Sequence, residues 1–450
     1  MESILKWTCR LSNRVYWLVL LINLAGTLSL YAQLSKAEKK IVAGFDEFTK
    51  DNYKLWEDAV NINSGTMNFE GVRAVGFLFK AKFDALGFTT RWVDGKGFGR
   101  AGHLIAEHIG RQSVKTVLLI GHLDTVFERS SPFQKFTWVN DSTVSGPGVG
   151  DMKGGDVIMI QSLQILQKAN VLKDMNIIVV MSGDEESSGD PLSLARHDLV
   201  EAAKTADIAI GFEDGDGKFE SANISRRSAS DWTLRVTGVP AHSSQIFTEK
   251  IGAGAIYEAS RILKDFYEKL SKEEDLTFNP GLILGGSTVE HSDQLKGGNA
   301  FGKDNIVARE TIVTGDIRAI SPEQLKKAQG VMFSIVAEHL PQTKAEIIFG
   351  DGYPPLAPTE GNKQLLGLFD KVSHDLDYGS VTAVKPRNAG AADISFTSGY
   401  VDMALDGLGP RTDGGHTSEE TADPRTIPME SKRVAVLLYR LLRNPSGVEK

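Results

Sequence analysis

Cysteine is all but missing. The 450 residues contain one, Cys9, so neither a disulfide framework nor a thiol nucleophile can organise the chain beyond it. There is also no block of charge of one sign. Lys and Arg number 50 against 58 Asp and Glu, for a formal net charge of -8, and without a basic patch a nucleic-acid or anionic-membrane surface is disfavoured. No low-complexity linker and no internal repeat is seen. What is present is the 41% hydrophobic and 24% charged composition of a globular protein, at a length that usually means more than one domain.

The N-terminus reads as a separate object. Lys6, Arg10 and Arg14 precede an apolar run from Val15 to Leu24, which loosens through Ala25, Gly26 and Thr27 to Leu30-Tyr31-Ala32. Those are the three parts of a secretory signal peptide over residues 1–32, with cleavage after Ala32. Asn23 and Gly26 interrupt the stretch, whereas a spanning helix wants about 20 continuous apolar residues. The expectation is an exported protein, periplasmic or secreted, with no stable membrane span once the signal is removed.

Beyond it, helical and strand patterns alternate. Phe69 to Leu86, Gly154 to Leu172 and Pro191 to Ala206 read as helices. Thr116 to Gly121 (TVLLIG), Asn176 to Ser182 (NIIVVMS) and Asp207 to Glu213 (DIAIGFE) read as short buried strands. This rhythm predicts an α/β fold with a mostly parallel sheet covered by helices. It changes after residue 226. Asp231 to Thr237 alternates like a half-buried strand. A helix with Ile256, Ile262, Leu263, Phe266 and Leu270 on one side follows, then strand-like runs near Gly281 to Val289 and Ile306 to Arg318. A helix from Ser321 to Leu340 and a strand from Ala345 to Gly350 complete it. That is a β-α-β-β-α-β unit, predicted to be an α+β domain of residues 227–353 inserted into a domain of residues 33–226 and 354–450.

The ionisable residues that could carry chemistry fall where strands end, which is where open α/β sheets form their sites. His122 and Asp124 (Gly-His-Leu-Asp-Thr) follow one strand, Glu185 and Glu186 (Gly-Asp-Glu-Glu-Ser-Ser-Gly) another, and Glu213 ends a third. Asp151 opens a helix within Gly-Val-Gly-Asp-Met-Lys-Gly-Gly, and His416 lies in Gly-Gly-His-Thr-Ser-Glu-Glu. Each has an ordinary reading. A lone His-x-Asp is usually a surface pair, paired glutamates a solvated face, and Asp151 a helix cap. Together, the ordinary readings require several coincidences at one sheet edge. Rigid strand ends carrying oxygen and imidazole groups beside glycines are what a metal site needs. Mixed imidazole and carboxylate ligation favours Zn²⁺ in a hydrolase, with Co²⁺ or Mn²⁺ compatible.

These motifs resemble the di-zinc exopeptidases that include glutamate carboxypeptidase, aminoacylase and succinyl-diaminopimelate desuccinylase, over nearly the whole chain after the signal. The resemblance is closest to glutamate carboxypeptidase. It implies hydrolysis of an amide bond beside a free carboxylate. By this resemblance Asp151 bridges two Zn²⁺ ions, His122 and Glu213 complete one shell, and Glu186 and His416 the other. Asp124 would orient His122, and Glu185 would be the general base. The family also places a cis peptide after its bridging aspartate, here Asp151-Met152. His242, in Val-Pro-Ala-His-Ser-Ser, matches a histidine that stabilises the oxyanion from the partner subunit, and Asn305 and Arg318 match substrate-contacting positions. An Arg fork suits a carboxylate. The insertion usually supplies a homodimer interface.

The sequence also departs from glutamate carboxypeptidase. Phe349-Gly350-Asp351-Gly352-Tyr353 has an aspartate where that enzyme has a further arginine, and Gly390-Ala391-Ala392-Asp393 replaces a Gly-Gly-Thr-Asp loop. Both put selectivity for glutamate in doubt. A glutamate at 213, rather than an aspartate, resembles the carboxypeptidase and deacylase branches more than the di- and tripeptidases. The expected substrate is a peptide, with release of its C-terminal amino acid. The alternative is an N-acyl amino acid deacylase; a catalytically inactive binding protein is disfavoured by the intact Glu185 and ligand set.

Overall fold

In the computed structural model the described residues are 34–43, 46–110, 115–292 and 295–443; the expected signal segment lies outside them. Among them, no helix is long and apolar enough to cross a membrane. Three helices open the fold, α1 (Lys36–Ala43), α2 (Asp46–Asn61) and α3 (Phe69–Ala85). Five strands of the first sheet follow, β1 (Thr89–Asp94), β2 (Gly102–His108), β3 (Thr116–His122), β4 (Asn176–Ser182) and β5 (Ile208–Gly211). Between them lie α4 (Lys153–Lys168) and α5 (His197–Thr205).

The chain then builds β6 (Ser230–Gly238), α6 (Gly254–Leu270), β7 (Thr277–Gly286), β8 (Glu310–Arg318), α7 (Pro322–Ala337) and β9 (Thr343–Phe349). It closes with α8 (Glu360–Asp375), β10 (Met403–Leu405) and α9 (Thr426–Arg443).

The first sheet has the order β1-β2-β4-β3-β5-β10. Strands β4, β3, β5 and β10 pair in parallel, while β2 runs against both of its neighbours. The apolar runs of β3 and β4 are explained by burial on both faces. Val117, Leu119, Ile177 and Val179 join the core under α4 and α9. Leu118, Ile120, Ile178 and Val180 join the opposite core with Leu199 and Ala203 of α5. Each such side chain contributes about 1.5–3 kcal/mol, and the period-2 alternation assigns it to one layer or the other.

The helix expected over 191–206 is broken. It forms Leu192–Ala195 and α5, with Arg196 between them at φ -104, ψ 5. The reason is tertiary: Arg196 is turned inward and buried in ion pairs with Asp184 and Asp393.

The second sheet is wholly antiparallel, with order β7-β8-β6-β9. Its core is separate, built from Trp232, Leu234 and Val313 of the strands and Ile262, Phe266, Met332 and Ile335 of α6 and α7. Ser321 caps α7 by accepting a hydrogen bond from the Gln324 amide, and Pro322 starts the helix. Ile256 does not share the buried face of Ile262 and Phe266; it is 45% exposed beside Gly285. The run near Gly281 to Val289 is two elements. β7 ends at Gly286, and a hairpin pairs Thr288–Ser292 with Gly297–Phe301.

Candidate metal centre

The C-terminal ends of β3, β4 and β5 lie side by side and deliver His122, Glu185-Glu186 and Glu213 to one edge of the first sheet. The loop before α4 brings Asp151, and the loop before α9 brings His416, whose backbone is left-handed at φ 61. The Asp151-Met152 peptide is cis. Asp151 sits between the two histidines. Its Oδ1 lies 2.9 Å from His122 Nε2 and its Oδ2 2.9 Å from His416 Nε2. His122 Nε2 is also 3.5 Å from Glu213 Oε1, and His416 Nε2 is 3.2 Å from Glu186 Oε2. Ligand-capable atoms of His122, Asp151 and Glu186 lie within 4.8 Å of one another, as do those of His122, Glu185 and Glu213. The structure therefore brings all the expected ligands together and sets Glu185 among them.

Electrostatics show what this cluster demands. Burial pushes the Glu185 carboxyl well above the usual carboxylate range, and Asp393, Glu186 and Asp151 push it the same way. Burial and the Asp151 charge likewise raise Glu213 well above its ordinary value, Glu186 to about 7 and Asp214 to about 6. The His416 pKa is lifted to about 11 by its hydrogen bonds to Asp151 and Glu186. Burial alone would depress His122, but Glu213, Asp124 and Asp151 outweigh it and hold it well above its normal value. Crowded carboxyls short of positive charge are relieved by cations. Glu186 Oε1 is buried with no hydrogen-bond partner among the described residues, an oxygen available to a metal. The donor set of carboxylate oxygen and imidazole nitrogen fits divalent transition metals.

Behind His122, Nδ1 lies 3.1 Å from the Asp124 carbonyl oxygen and 3.4 Å from its Oδ1. A carbonyl only accepts, so Nδ1 carries a hydrogen, and Nε2, which faces Asp151 and Glu213, is the nitrogen that would give up its proton to hold a cation. The fully buried Asp124 carboxylate makes its closer bonds elsewhere. It accepts from Thr66 Oγ1 at 2.6 Å and from the Glu185 and Glu186 amides at 3.1 and 3.2 Å. It thus holds the β4 loop as well as facing the imidazole.

Three residues given no role by the sequence reading also support the centre. Glu420, 1% exposed, accepts from the amides of Gly148 (3.0 Å), Gly150 (2.9 Å) and Asp151 (3.2 Å), and so clamps the loop that carries Asp151. It lies four residues past His416 in the motif already singled out, and that spacing is the signal that could have found it. Tyr353 and Arg196 pack behind Glu185, with no local pattern to reveal them.

His242, Asn305 and Arg318 lie in the second unit. His242 Nε2 is 3.4 Å from Asn305 Nδ2, and His242 Nδ1 accepts from the Ser244 amide at 3.2 Å. Arg318 is half-exposed and bonds Asp316 through Nε at 2.9 Å. Among the described residues, no hydrogen bond or ion pair joins these three to the metal-ligand cluster.

A partly buried carboxylate and imidazole cluster at the edge of an α/β sheet, with an ionisable glutamate beside it, defines a metal-dependent hydrolase. The profile of Peptidase family M20/M25/M40 matches residues 118–442, and the chain belongs to that family; it is a metallopeptidase-class hydrolase of carboxypeptidase-like kind. It is 26% identical over 393 residues to carboxypeptidase G2 of Pseudomonas sp. (strain RS-16), covering 85% of this chain and 88% of that one. Among solved structures, aminopeptidase PepT from Bacillus cereus superposes with a TM-score of 0.66 at 17% identity, covering 87% of this chain and 98% of that one. A Bacillus subtilis protein described as a dinuclear metal binding peptidase from the M20 family gives 0.59 at 14% identity, over 88% and 99%.

Proposed function

We propose that this protein hydrolyses an amide bond adjacent to a free carboxylate and releases the C-terminal amino acid of a peptide. The observation that carries the reading is the convergence of His122, Asp151, Glu186, Glu213 and His416 around a partly buried Glu185. Asp151 would be shared between two metal sites, its two oxygens facing different histidines, with His122 and Glu213 on one side and Glu186 and His416 on the other. Zinc is the favoured metal, with cobalt and manganese as substitutes. Two bound cations would supply Lewis acidity and a more acidic water.

The chain's own residues do the rest. Asp124 fixes the imidazole of His122 and the Glu185-Glu186 backbone. Glu185 takes a proton from water and returns it to the departing nitrogen. Glu185 also lies within reach of His122 and Glu213, and metal retention in Glu185→Ala separates a base from a ligand. Arg318 and Asn305 would hold the substrate carboxylate, and His242 the developing oxyanion, reaching across from a second copy in a homodimer. The protein would act after export, in the periplasm or outside the cell.

The test is turnover by the zinc-loaded protein of a panel that pairs peptides and acyl-glutamates against N-acetyl amino acids, with Glu185→Ala as control. Glu185-dependent cleavage of the peptides supports the carboxypeptidase, and cleavage confined to N-acetyl amino acids supports the deacylase. Glu185→Ala should abolish turnover while retaining both metals; loss of a metal would make it a ligand. Light scattering giving the mass of one chain would remove the dimer.

A further inference from the structure

The loop that carries Glu185 and Glu186 is held from behind by groups the mechanism above does not use. Arg196 is 1% exposed and bonded on three sides. Its Nη1 donates to Asp184 Oδ1 at 2.6 Å, its Nε to Asp393 Oδ1 at 2.7 Å, and its Nη2 to the Tyr353 hydroxyl at 2.5 Å. Asp184 in turn accepts from the Gly189 amide at 2.8 Å, closing the far side of the same loop. The Tyr353 hydroxyl lies 3.0 Å from the Glu185 carbonyl oxygen, 3.1 Å from Asp393 Oδ1 and 3.2 Å from Ser188 Oγ.

A phenol has one proton to give. Arg196 can only donate, so it occupies a lone pair of the Tyr353 oxygen and leaves the proton for an acceptor. Asp393 Oδ1 already accepts the short bond from Arg196. That oxygen keeps a second lone pair, so the phenol's proton is shared between the Glu185 carbonyl at 3.0 Å and Asp393 Oδ1 at 3.1 Å, and ties the two together. Tyr353 itself is fixed by backbone. It exchanges both hydrogen bonds with Ala229, at 2.9 and 3.1 Å, directly before β6, and its ring stands edge-on to Phe396 at 5.0 Å. The phenol therefore joins the segment returning from the second sheet to the backbone of the glutamate loop.

We propose that Tyr353 is a positioning residue for Glu185, setting the Glu185 backbone through its phenol, with Arg196 clamped between Asp184 and Asp393 to fix that phenol. The proposal rests on the reading of Glu185 as the general base. It predicts that the loop's placement depends on a residue of the inter-unit connection, since Tyr353 lies four residues beyond the end of β9.

The test uses the full chain loaded with zinc, with rates normalised to metal-loaded protein. Tyr353→Phe should lower kcat about 10- to 100-fold, the scale on which small misplacements of a catalytic group act. KM should stay within about twofold and both metals should be retained, because the Tyr353 hydroxyl bonds Arg196, Ser188, Asp393 and the Glu185 backbone and no ligand side chain. In a Glu185→Gln background the same substitution should cause no further loss in the residual rate. Phe396→Leu, which loosens the same ring without removing the hydroxyl, should lower thermal stability and leave kcat unchanged. An unimpaired kcat in Tyr353→Phe, an equal loss in Phe396→Leu, or a change confined to KM overturns the proposal while Glu185→Gln remains inactive. Full activity in Glu185→Gln sinks the base assignment, and the proposal with it.

Discussion

Glu420 offers the sharpest test of how the metal centre is supported. Its carboxylate accepts three backbone amides from the loop that presents Asp151. In Glu420→Ala those donors are stranded in a buried site, at about 1–3 kcal/mol each and not additively. Glu420→Gln is gentler and more informative. Oε1 serves Gly150 and Asp151, and Oε2 serves Gly148, so an amide can keep the first pair and must face the Gly148 donor with another donor. The expected cost is about 1–3 kcal/mol of stability for Gln and clearly more for Ala. Removal of an outer partner of a metal ligand typically lowers metal affinity about 10- to 100-fold; Gln should fall near the lower figure and Ala near the upper. Chelator competition with zinc gives the affinity, and urea unfolding of the metal-free proteins gives the stability. Wild-type metal affinity in both variants, with stability reduced, would show that the clamp serves the fold alone and would refute the reasoning.

The metal-free protein should lose stability as pH rises from about 4.5 to 7. Glu186 and Glu420 are raised to about 7 and Asp214 to about 6, chiefly by burial. In that window the folded state keeps protons that the unfolded chain has released, so unfolding is favoured as pH rises. Bound zinc should flatten the slope, and a metal-free protein whose stability rises across this window would contradict the charge-crowded centre. Arg318→Ala should raise KM about tenfold for carboxylate substrates, since hydrogen bonds to charged groups are worth about 1.5–3 kcal/mol. His242→Ala should instead lower kcat; if the two variants shift the same parameter, one assignment is wrong.

How much of this could be read from the sequence follows from how local each cause is. β4 was legible residue for residue as NIIVVMS because burial on both faces demands an unbroken apolar run bounded by polar ends. α7 was legible from Ser321-Pro322-Glu323, whose cap is a contact between neighbours in sequence. The reversed direction of β2 was not, because its pairing with β4 is written in hydrogen bonds between segments some 70 residues apart and not in its own pattern. The helix break at Arg196 was hidden for a similar reason. Arginine is a good helix former, and only its ion pairs with Asp184 and with Asp393, 197 residues away, turn it inward. The hairpin at 288–301 merged with β7 because Ser287 alone separates two strand-like runs.

The site divides along the same line. His122, Glu185, Glu186 and Glu213 sit at strand ends and Asp151 and His416 in glycine-rich loops, positions set by local rules, so these candidates are legible in the sequence. The groups that hold them are distant. Thr66 reaches Asp124 across 58 residues, Tyr353 reaches Glu185 across 168, and Glu420 reaches Asp151 across 269. Such contacts leave no periodicity, and their residue types are ordinary on a surface. The asymmetry has a physical root. A residue that performs chemistry must be a particular chemical group at a position the backbone exposes. A residue that steadies it need only complete a hydrogen bond, and many groups at many places in a chain can do that. The supports Glu420, Arg196 and Tyr353 are therefore where substitutions should alter metal affinity or kcat without touching a ligand. They are also where the sequence gives least warning.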